Sequence, residues 1–255
     1  MRNQEFLLYY QPRINSRTSS VQSVEILLRW DFNSEILNTK NFYETLEESG
    51  VLVLLSKWIL RTSIYENLEW QKNGLGKIPI SINLSERQFY DDNLLVSIMD
   101  IISETRFSVD LLELEISENT IMKNPDLSEE ILKNIHNNGI RINLDDFGSG
   151  YSSLGKLKDY PVHTINVGKS LVSGVTENYQ DAAVTSAIVS MAHKLNIHVN
   201  AEGIETREQL EFMRYLRCEY FQGYYFSKPV SSMQIRNFIR DKIGQPKVTL
   251  EIYSR

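Results

Sequence analysis

Two adjacent carboxylates, Asp145 and Asp146, stand where a short apolar segment gives way to a stretch rich in glycine and serine. The apolar segment, Ile140–Leu144, is typical of a β-strand, in which neighbouring residues point to opposite faces. Both carboxylates can therefore aim at one point only where the strand ends. Two such acids repel each other unless a cation or a proton lies between them. A strand followed by an ordinary Asp/Gly turn is the alternative interpretation of this stretch alone.

Polar residues also lie in or just after other apolar segments of the chain. They are Glu25, Arg29, Asn83, Glu115, Glu118, Asn166, Glu202, Glu205 and Gln222. Burying a lone carboxylate among apolar neighbours is costly, and few basic residues share these segments, so we expect metal ions rather than ion pairs to balance the charge. Oxygen ligands with almost no nearby His or Cys favour Mg²⁺, Mn²⁺ or Ca²⁺ over zinc. Adjacent aspartates can bridge two ions ~3.5–4 Å apart, an arrangement that serves phosphoryl displacement.

The elements that would position these residues alternate along the chain. Phe6–Tyr10, ending at Gln11-Pro12, and Val21–Trp30 are predicted strands that pair antiparallel, because a parallel crossover needs a longer link. Six further strands are predicted at 78–84, 111–116, 140–144, 162–167, 197–201 and 220–226. Helices are predicted at 41–49, 51–73, 93–105, 127–137, 152–158, 181–195, 207–216 and 231–242. This alternation predicts an α/β fold, a modified (β/α)8 TIM-type barrel with one antiparallel strand. Active sites of such barrels lie at the C-terminal ends of the strands.

Composition narrows the class of protein further. The chain has 255 residues and a net charge of −6, so we expect one domain over 1–255, with the tail 244–255 unassigned, and no nucleic-acid polymer as partner. Cys218 is the only cysteine, which excludes an internal disulfide. No signal-peptide pattern or bilayer-length apolar run is visible. We therefore expect a cytoplasmic domain and leave open a longer parent chain with sensor or membrane segments.

Seven short motifs occur in order along the chain. They are Tyr10-Gln-Pro12, Val24-Glu-Ile-Leu-Leu-Arg-Trp30, Ile82-Asn-Leu-Ser85, Leu114-Glu-Ile-Ser-Glu118, Leu144-Asp-Asp-Phe-Gly-Ser-Gly-Tyr-Ser-Ser-Leu154, Ala201-Glu-Gly-Ile-Glu-Thr206 and Gln222-Gly-Tyr224. Together they resemble the EAL-domain family of bacterial cyclic-di-GMP phosphodiesterases, from about Phe6 to about Phe238. The motif that names the family reads Glu25-Ile26-Leu27 here. The family's modified barrel agrees with the fold predicted above.

The resemblance implies a two-metal site. The first ion would be held by Glu25, Asn83, Glu115 and Asp145, and the second by Asp145, Asp146 and Glu202. Mg²⁺ or Mn²⁺ would support catalysis, and Ca²⁺ would bind without supporting it.

The resemblance also implies roles for residues around the ions. Glu205 and Gln222 resemble positions that bind water or support the ligands. Gln11 and Arg29 would contact cyclic di-GMP, Arg29 through a phosphate, which suits a guanidinium fork. Residues 147–153 match a loop that covers the metals and assists a homodimer, and Glu118 matches the glutamate that tethers this loop.

The departure from the family pattern lies within 164–170. Active members typically carry Lys-Ile-Asp followed by Arg-Ser-Phe, so the lysine position is Asn166 and the aspartate position is Gly168. In the family this lysine lies beside the attacking water and the scissile phosphate, and losing one such group commonly costs ~100–1000-fold in rate. Lys169 is three residues from Asn166, and we expect it on the opposite face of the strand.

Three functions follow from these patterns. We favour a protein that binds divalent metal and cyclic di-GMP, with hydrolysis to linear pGpG weak or absent. Full phosphodiesterase activity is the first alternative. The second is a scaffold for a protein partner that no longer uses the nucleotide, against which the intact acid set argues, because unused buried acids destabilise a fold.

Overall fold

The computed structural model describes residues 5–42, 46, 51–148 and 154–243. Its strands are β1 (Phe6–Asn15), β2 (Val21–Phe32), β3 (Glu35–Asn38), β4 (Ile80–Leu84), β5 (Leu112–Ser117), β6 (Arg141–Phe147), β7 (Thr164–Val167), β8 (His198–Ala201) and β9 (Tyr220–Phe221). Its α-helices are α1 (Leu52–Lys72), α2 (Glu86–Phe89), α3 (Leu94–Thr105), α4 (Glu118–Lys123), α5 (Pro125–Asn137), α6 (Leu154–Leu157), α7 (Lys169–Gly174), α8 (Tyr179–Lys194), α9 (Arg207–Tyr215) and α10 (Ser232–Ile243). The helix predicted at 41–49 and the start of the one predicted at 152–158 lie largely outside the described residues.

Eight of these strands close into a barrel. The order around the ring is β1-β9-β8-β7-β6-β5-β4-β2, and β2 pairs back with β1. β1 runs antiparallel to both of its neighbours, whereas the other pairs in the ring are parallel. The predicted modified barrel with one antiparallel strand is therefore confirmed. Among the described residues, no helix is both long enough and apolar enough to cross a membrane.

Several strand boundaries differ from the prediction, those of β1 and β9 among them, and one strand was not predicted. β3 pairs antiparallel with the end of β2, and its four residues are mostly exposed, so it carries no alternating apolar pattern. β9 ends at Phe221 rather than at Phe226. β1 continues past Pro12 to Asn15. The proline is tolerated because its nitrogen lies on the edge of β1 that faces away from β2, like the nitrogen of Tyr10, which donates to Val230 O across that edge.

The two faces of the barrel strands differ in chemistry. Apolar residues such as Ile80, Ile82, Leu112 and Leu114 belong to the hydrophobic core. The residues that alternate with them are polar, and they bond to one another across the inside of the barrel. We call this set the polar lumen: Arg13, Ser81, Glu113, Glu115, Asn143, Asn166, Asn200 and Gln222. None of them is more than 4% exposed, so each depends on partners inside the barrel. Barrels of this class usually fill the same space with branched apolar side chains.

Candidate functional site

Three of the predicted metal ligands meet at the mouth of the barrel. Glu115 on β5, Asp145 near the end of β6 and Glu202 just after β8 each offer a carboxylate oxygen, and these oxygens lie within 4.8 Å of one another. They converge because parallel strands end at the same edge of the sheet. In the described part of the chain, Glu25 and Asp146 lie outside this group of three.

Glu25 accepts hydrogen bonds from two neutral side chains. One of its oxygens accepts from Asn83 Nδ2 at 2.8 Å, and the other accepts from Gln222 Nε2 at 2.5 Å. Gln222 Nε2 also donates to Gln11 Oε1 at 3.2 Å. The structure therefore places Asn83 and Gln222 on one carboxylate, with Gln11 bonded to Gln222, although the sequence assigned these three residues different roles.

The second aspartate of the pair occupies a special backbone position. Asp146 has φ +51°, a left-handed conformation that turns the chain as β6 ends. A side chain at position 168 would begin close to it, since a Cβ built on Gly168 lies 3.0 Å from Asp146 Oδ1. Glu118 begins α4, and its Oε2 accepts from Gly148 N at 3.1 Å, so it contacts the start of the predicted covering loop. The residues 149–153 of that loop lie outside the described part of the chain.

Ion pairing is stronger in this site than the sequence analysis predicted. Arg13 is 1% exposed and lies inside the barrel. Its Nη2 pairs closely with Glu115 Oε1 and lies 3.6 Å from Glu202 Oε1, and its Nη1 lies 3.6 Å from Glu113 Oε2. The expectation that metal ions rather than ion pairs balance these acids is therefore corrected in part, because Arg13 pairs with three of them. Arg13 was missed because the first strand was ended at Pro12, although a residue two positions after Gln11 falls on the same face of a longer strand.

Two glutamates of the mouth, Glu115 and Glu202, hold protons more tightly than exposed carboxylates do. Burial raises the pKa of Glu115 to about 8, with Arg13 acting in the opposite direction and Glu25 and Asp145 adding to the rise. Burial, with Asp145 and Glu25, also raises the pKa of Glu202 well above its usual value. Burial disfavours the charge of Arg13, but the carboxylates of Glu115 and Glu202 outweigh it and raise its pKa. Negative charge is thus in excess even with the arginine present.

Asn166 lies between the acids, where the family resemblance implies a lysine. Its Nδ2 is 3.3 Å from Asp145 Oδ1 and 3.5 Å from Glu115 Oε2, and its Oδ1 accepts from Asn200 Nδ2 at 3.2 Å. The side chain is fully buried. Asn166 therefore bridges acid and amide but carries no charge.

Lys169 is placed differently from the prediction. β7 ends at Val167, so Lys169 does not lie on the opposite face of a strand but begins α7. Its Nζ pairs with Glu205 Oε1 at 2.5 Å, and its side chain lies against Gly203, the residue after Glu202, where a Cβ would come within 2.5 Å of Lys169 Cγ. The ammonium group of Lys169 therefore lies near the mouth, paired with Glu205.

Arg29 lies near the C-terminal end of β2, away from the turn that joins β1 to β2. Its guanidinium carbon is 5.5 Å from the ring centre of Tyr9, and its Nη1 donates to Leu28 O at 2.7 Å. These two contacts leave other guanidinium N–H groups to meet an anion.

The residues of the mouth fit a hard divalent cation. The donors that converge are carboxylate oxygens, the ligand class that Mg²⁺, Mn²⁺ and Ca²⁺ prefer. Burial, with the nearby carboxylates of Asp145 and Glu25, raises the pKa of Glu202, so a cation bound here would favour its charged form. Arg13 occupies one oxygen of Glu115 and leaves the other 3.5 Å from Asn166 Nδ2.

Comparison with known proteins gives the class to which this barrel and its acidic mouth belong. The sequence model of the EAL domain matches residues 1–229, and the chain belongs to the EAL domain family. Signaling protein YkoW of Bacillus subtilis is 32% identical over 95% of this chain and 30% of its own length. The bifunctional diguanylate cyclase/cyclic di-GMP phosphodiesterase MucR of Pseudomonas aeruginosa is 32% identical over 92% of this chain and 34% of its own length. The chain thus spans about a third of the curated relatives it matches.

Solved structures agree with the family. The PaMucR phosphodiesterase in complex with c-di-GMP superposes with a TM-score of 0.89 at 31% identity, covering 92% of this chain and 95% of that one. The EAL enzyme Bd1971, in a form bound to cAMP and cyclic-di-GMP, gives a TM-score of 0.88 at 29% identity, over 93% of this chain and 65% of that one. These structures support the family model in assigning the chain to the EAL domain family.

Proposed function

We propose that this protein binds divalent cations and cyclic di-GMP at the C-terminal mouth of its barrel and hydrolyses the nucleotide slowly or not at all. The observation that carries the proposal is Asn166, a neutral side chain 3.3 Å from Asp145 where active relatives are expected to carry lysine. Glu25, Asn83, Glu115, Asp145, Asp146 and Glu202 would hold the ions. Bound ions would offset phosphate charge and polarise the phosphoryl group.

The residues of this chain divide the remaining tasks. Arg29, at the end of β2, would hold a phosphate, and Gln11, which already bonds to Gln222, would orient the nucleotide from the neighbouring strand β1. Asn166 can hold a water molecule through its amide but cannot stabilise the charge that develops on the phosphate as well as an ammonium group does. Binding is therefore expected to survive and turnover to be the step that suffers.

Full phosphodiesterase activity is the second candidate, and Lys169 favours it. Its ammonium group pairs with Glu205 beside Gly203, so a cation is available near the mouth even though position 166 lacks one. A modest movement of this flexible side chain toward the phosphate would restore the missing charge. The two candidates differ in rate rather than in ligand.

One experiment separates the candidates. Cyclic di-GMP is incubated with the protein and Mg²⁺ or Mn²⁺, linear pGpG is followed by chromatography, and binding is measured separately by calorimetry with Ca²⁺. We expect binding with turnover well below ~1 s⁻¹, the low end of ordinary enzymes. Turnover above that rate favours the active enzyme, and absence of both binding and product favours the scaffold. Asp145→Asn is the control, and it is expected to lose both signals.

The finer parts of the proposal come from the family resemblance. We propose a homodimer in the cytoplasm, with Mg²⁺ or Mn²⁺ as the working ion and Ca²⁺ as a binding but inactive substitute. Light scattering during size-exclusion chromatography measures the oligomer, and a monomer at micromolar concentration with and without nucleotide would contradict this part.

A further inference from the structure

Arg13 is the only cation of the polar lumen, and the motifs assign it no role. Its side chain is 2% exposed and enters from β1, the one antiparallel strand. Nε donates to Gln222 Oε1 at 2.9 Å, and Nη2 pairs closely with Glu115 Oε1. The carboxylates of Glu113 and Glu202 each lie 3.6 Å from the guanidinium group. One side chain thus contacts residues from β5 and from the ends of β8 and β9.

We propose that Arg13 is the internal counter-ion of the acidic mouth and the positioning residue for Glu115. The second half of this inference rests on the proposed metal binding, whereas the first half concerns the metal-free protein and stands without it.

The positioning role follows from how the two oxygens of Glu115 are used. Oε1 is held by both Arg13 and Ser81, which fixes the carboxylate in the lumen. Oε2 is turned toward Asn166, 3.5 Å from Nδ2, and the same Nδ2 lies 3.3 Å from Asp145 Oδ1. The arginine therefore holds one oxygen so that the other stays available to an ion. A planar guanidinium can bond Glu115 and Gln222 at once through different nitrogens, which a single ammonium group cannot do with the same geometry.

The counter-ion role follows from charge and burial. Glu113 and Glu115 are 4% and 1% exposed, and more carboxylates lie above them at the mouth. Removing one partner of a buried ion pair leaves an uncompensated charge and is strongly destabilising. The cluster can therefore assemble before any ion arrives because Arg13 is part of the fold.

Thermal unfolding in EDTA at a pH above about 8, where Glu115 carries its charge, tests the counter-ion directly. Arg13→Met keeps a long side chain without charge, and we expect its Tm to fall on the order of 10 °C below wild type. Adding Glu115→Gln removes the charge that Arg13 balances, so the double variant is expected to regain much of the lost Tm. Arg141→Met is the matched control. Arg141 lies 3.6 Å from Glu113 but is a third exposed, so its change is expected to be small and unaffected by Glu115→Gln.

A titration with Mn²⁺ tests the positioning. We expect Arg13→Met to need a higher Mn²⁺ concentration than wild type for half of its maximal rise in Tm, because Glu115 is then no longer held in place for the ion. An equal Mn²⁺ requirement in the two proteins would contradict the positioning. Arg13→Lys keeps the charge without the fork and is expected between the two in EDTA. If Mn²⁺ shifts neither protein while the EDTA pattern holds, the metal proposal and the positioning of Glu115 fail and the counter-ion stands.

Other outcomes overturn the counter-ion itself. An Arg13→Met protein as stable as wild type in EDTA would do so, and so would a double variant no more stable than Arg13→Met. If Arg13→Met does not fold in EDTA, recovery of folded protein in the double variant supports the proposal, and failure of both to fold contradicts it.

Discussion

At the scale of single residues, the proposal of slow turnover rests on the missing charge at position 166. Asn166→Lys would place an ammonium group beside Asp145 and Glu115, where the nearby carboxylates keep it charged. We expect hydrolysis of cyclic di-GMP to rise ~100-fold, the scale of one electrostatic group in a transition state. Initial rates of pGpG formation at saturating Mn²⁺ measure the change.

Two further variants test why position 166 matters. Lys169→Met is expected to leave slow turnover unchanged, so a large loss would assign the missing charge to Lys169. Gly168→Asp restores a second family residue but starts its side chain 3.0 Å from Asp146 Oδ1, and we therefore expect it to reduce the gain from Asn166→Lys. Wild-type turnover equal to that of Asn166→Lys would contradict the slow-hydrolysis proposal.

Nucleotide binding depends at the same scale on Arg29. Arg29→Ala removes the guanidinium proposed to hold a phosphate, and we expect binding of cyclic di-GMP to weaken by roughly 1.5–3 kcal/mol, as for a hydrogen bond to a charged group. Calorimetry with Ca²⁺ measures the affinity without turnover. Arg61→Ala, which removes an exposed arginine paired with Glu104 on the outside of the barrel, is the control. Equal affinities for the two variants would remove Arg29 from the nucleotide site.

At the scale of elements, the start of β7 and β8 carries a pH-dependent contact. His163 and His198 lie with ring centres 5.0 Å apart, and burial, with His198 and Arg141, lowers the pKa of His163 to about 4. In the unfolded chain the same group titrates near its ordinary value of ~6.5. Between these two pH values the unfolded state binds more protons, so this histidine lowers the free energy of unfolding as pH falls, and the effect vanishes above pH ~6.5.

A urea series measures that contact. Relative to His163→Gln, wild type is expected to lose about 3 kcal/mol between pH 6.5 and pH 4. His136→Gln changes an exposed histidine on α5 and is expected to track wild type at every pH. If the free energies of unfolding of His163→Gln and wild type differ by a constant amount across this range, His163 is protonated in the folded state at pH 6, which contradicts the prediction.

At the scale of the whole molecule, metal binding is expected to stabilise the barrel. An ion that binds only the folded state at ~100 times its Kd adds about 2.7 kcal/mol. For a chain of this size that corresponds to a rise in Tm of roughly 5–10 °C. Differential scanning fluorimetry with Mg²⁺ or Mn²⁺ measures the rise, and Asp145→Asn is expected to blunt it. Asp126→Asn, on an exposed acid paired with Lys156, is expected to keep it. Unchanged melting of the wild type at saturating metal would contradict the site.

The sequence by itself determined the barrel and the ring of polar residues at its mouth. The alternation of strands and helices, and the spacing of apolar residues within them, are local patterns that can be recognised in the sequence. The link between β1 and β2 is too short for a parallel crossover. The positions of Glu115, Asp145 and Glu202 followed, because residues at the ends of parallel strands must meet at one edge.

Only the tertiary structure decided how charge is balanced inside that ring. Arg13 and Glu115 are separated by 102 positions in the sequence. They meet because β1 continues past Pro12, so that the side chain of Arg13 reaches Glu115 on β5 across the lumen. Lys169 reaches Glu205 because a helix, α7, begins at Lys169 just after β7 ends. Patterns of alternation fix which face a residue occupies, but pairing across a barrel depends on where each strand starts and stops.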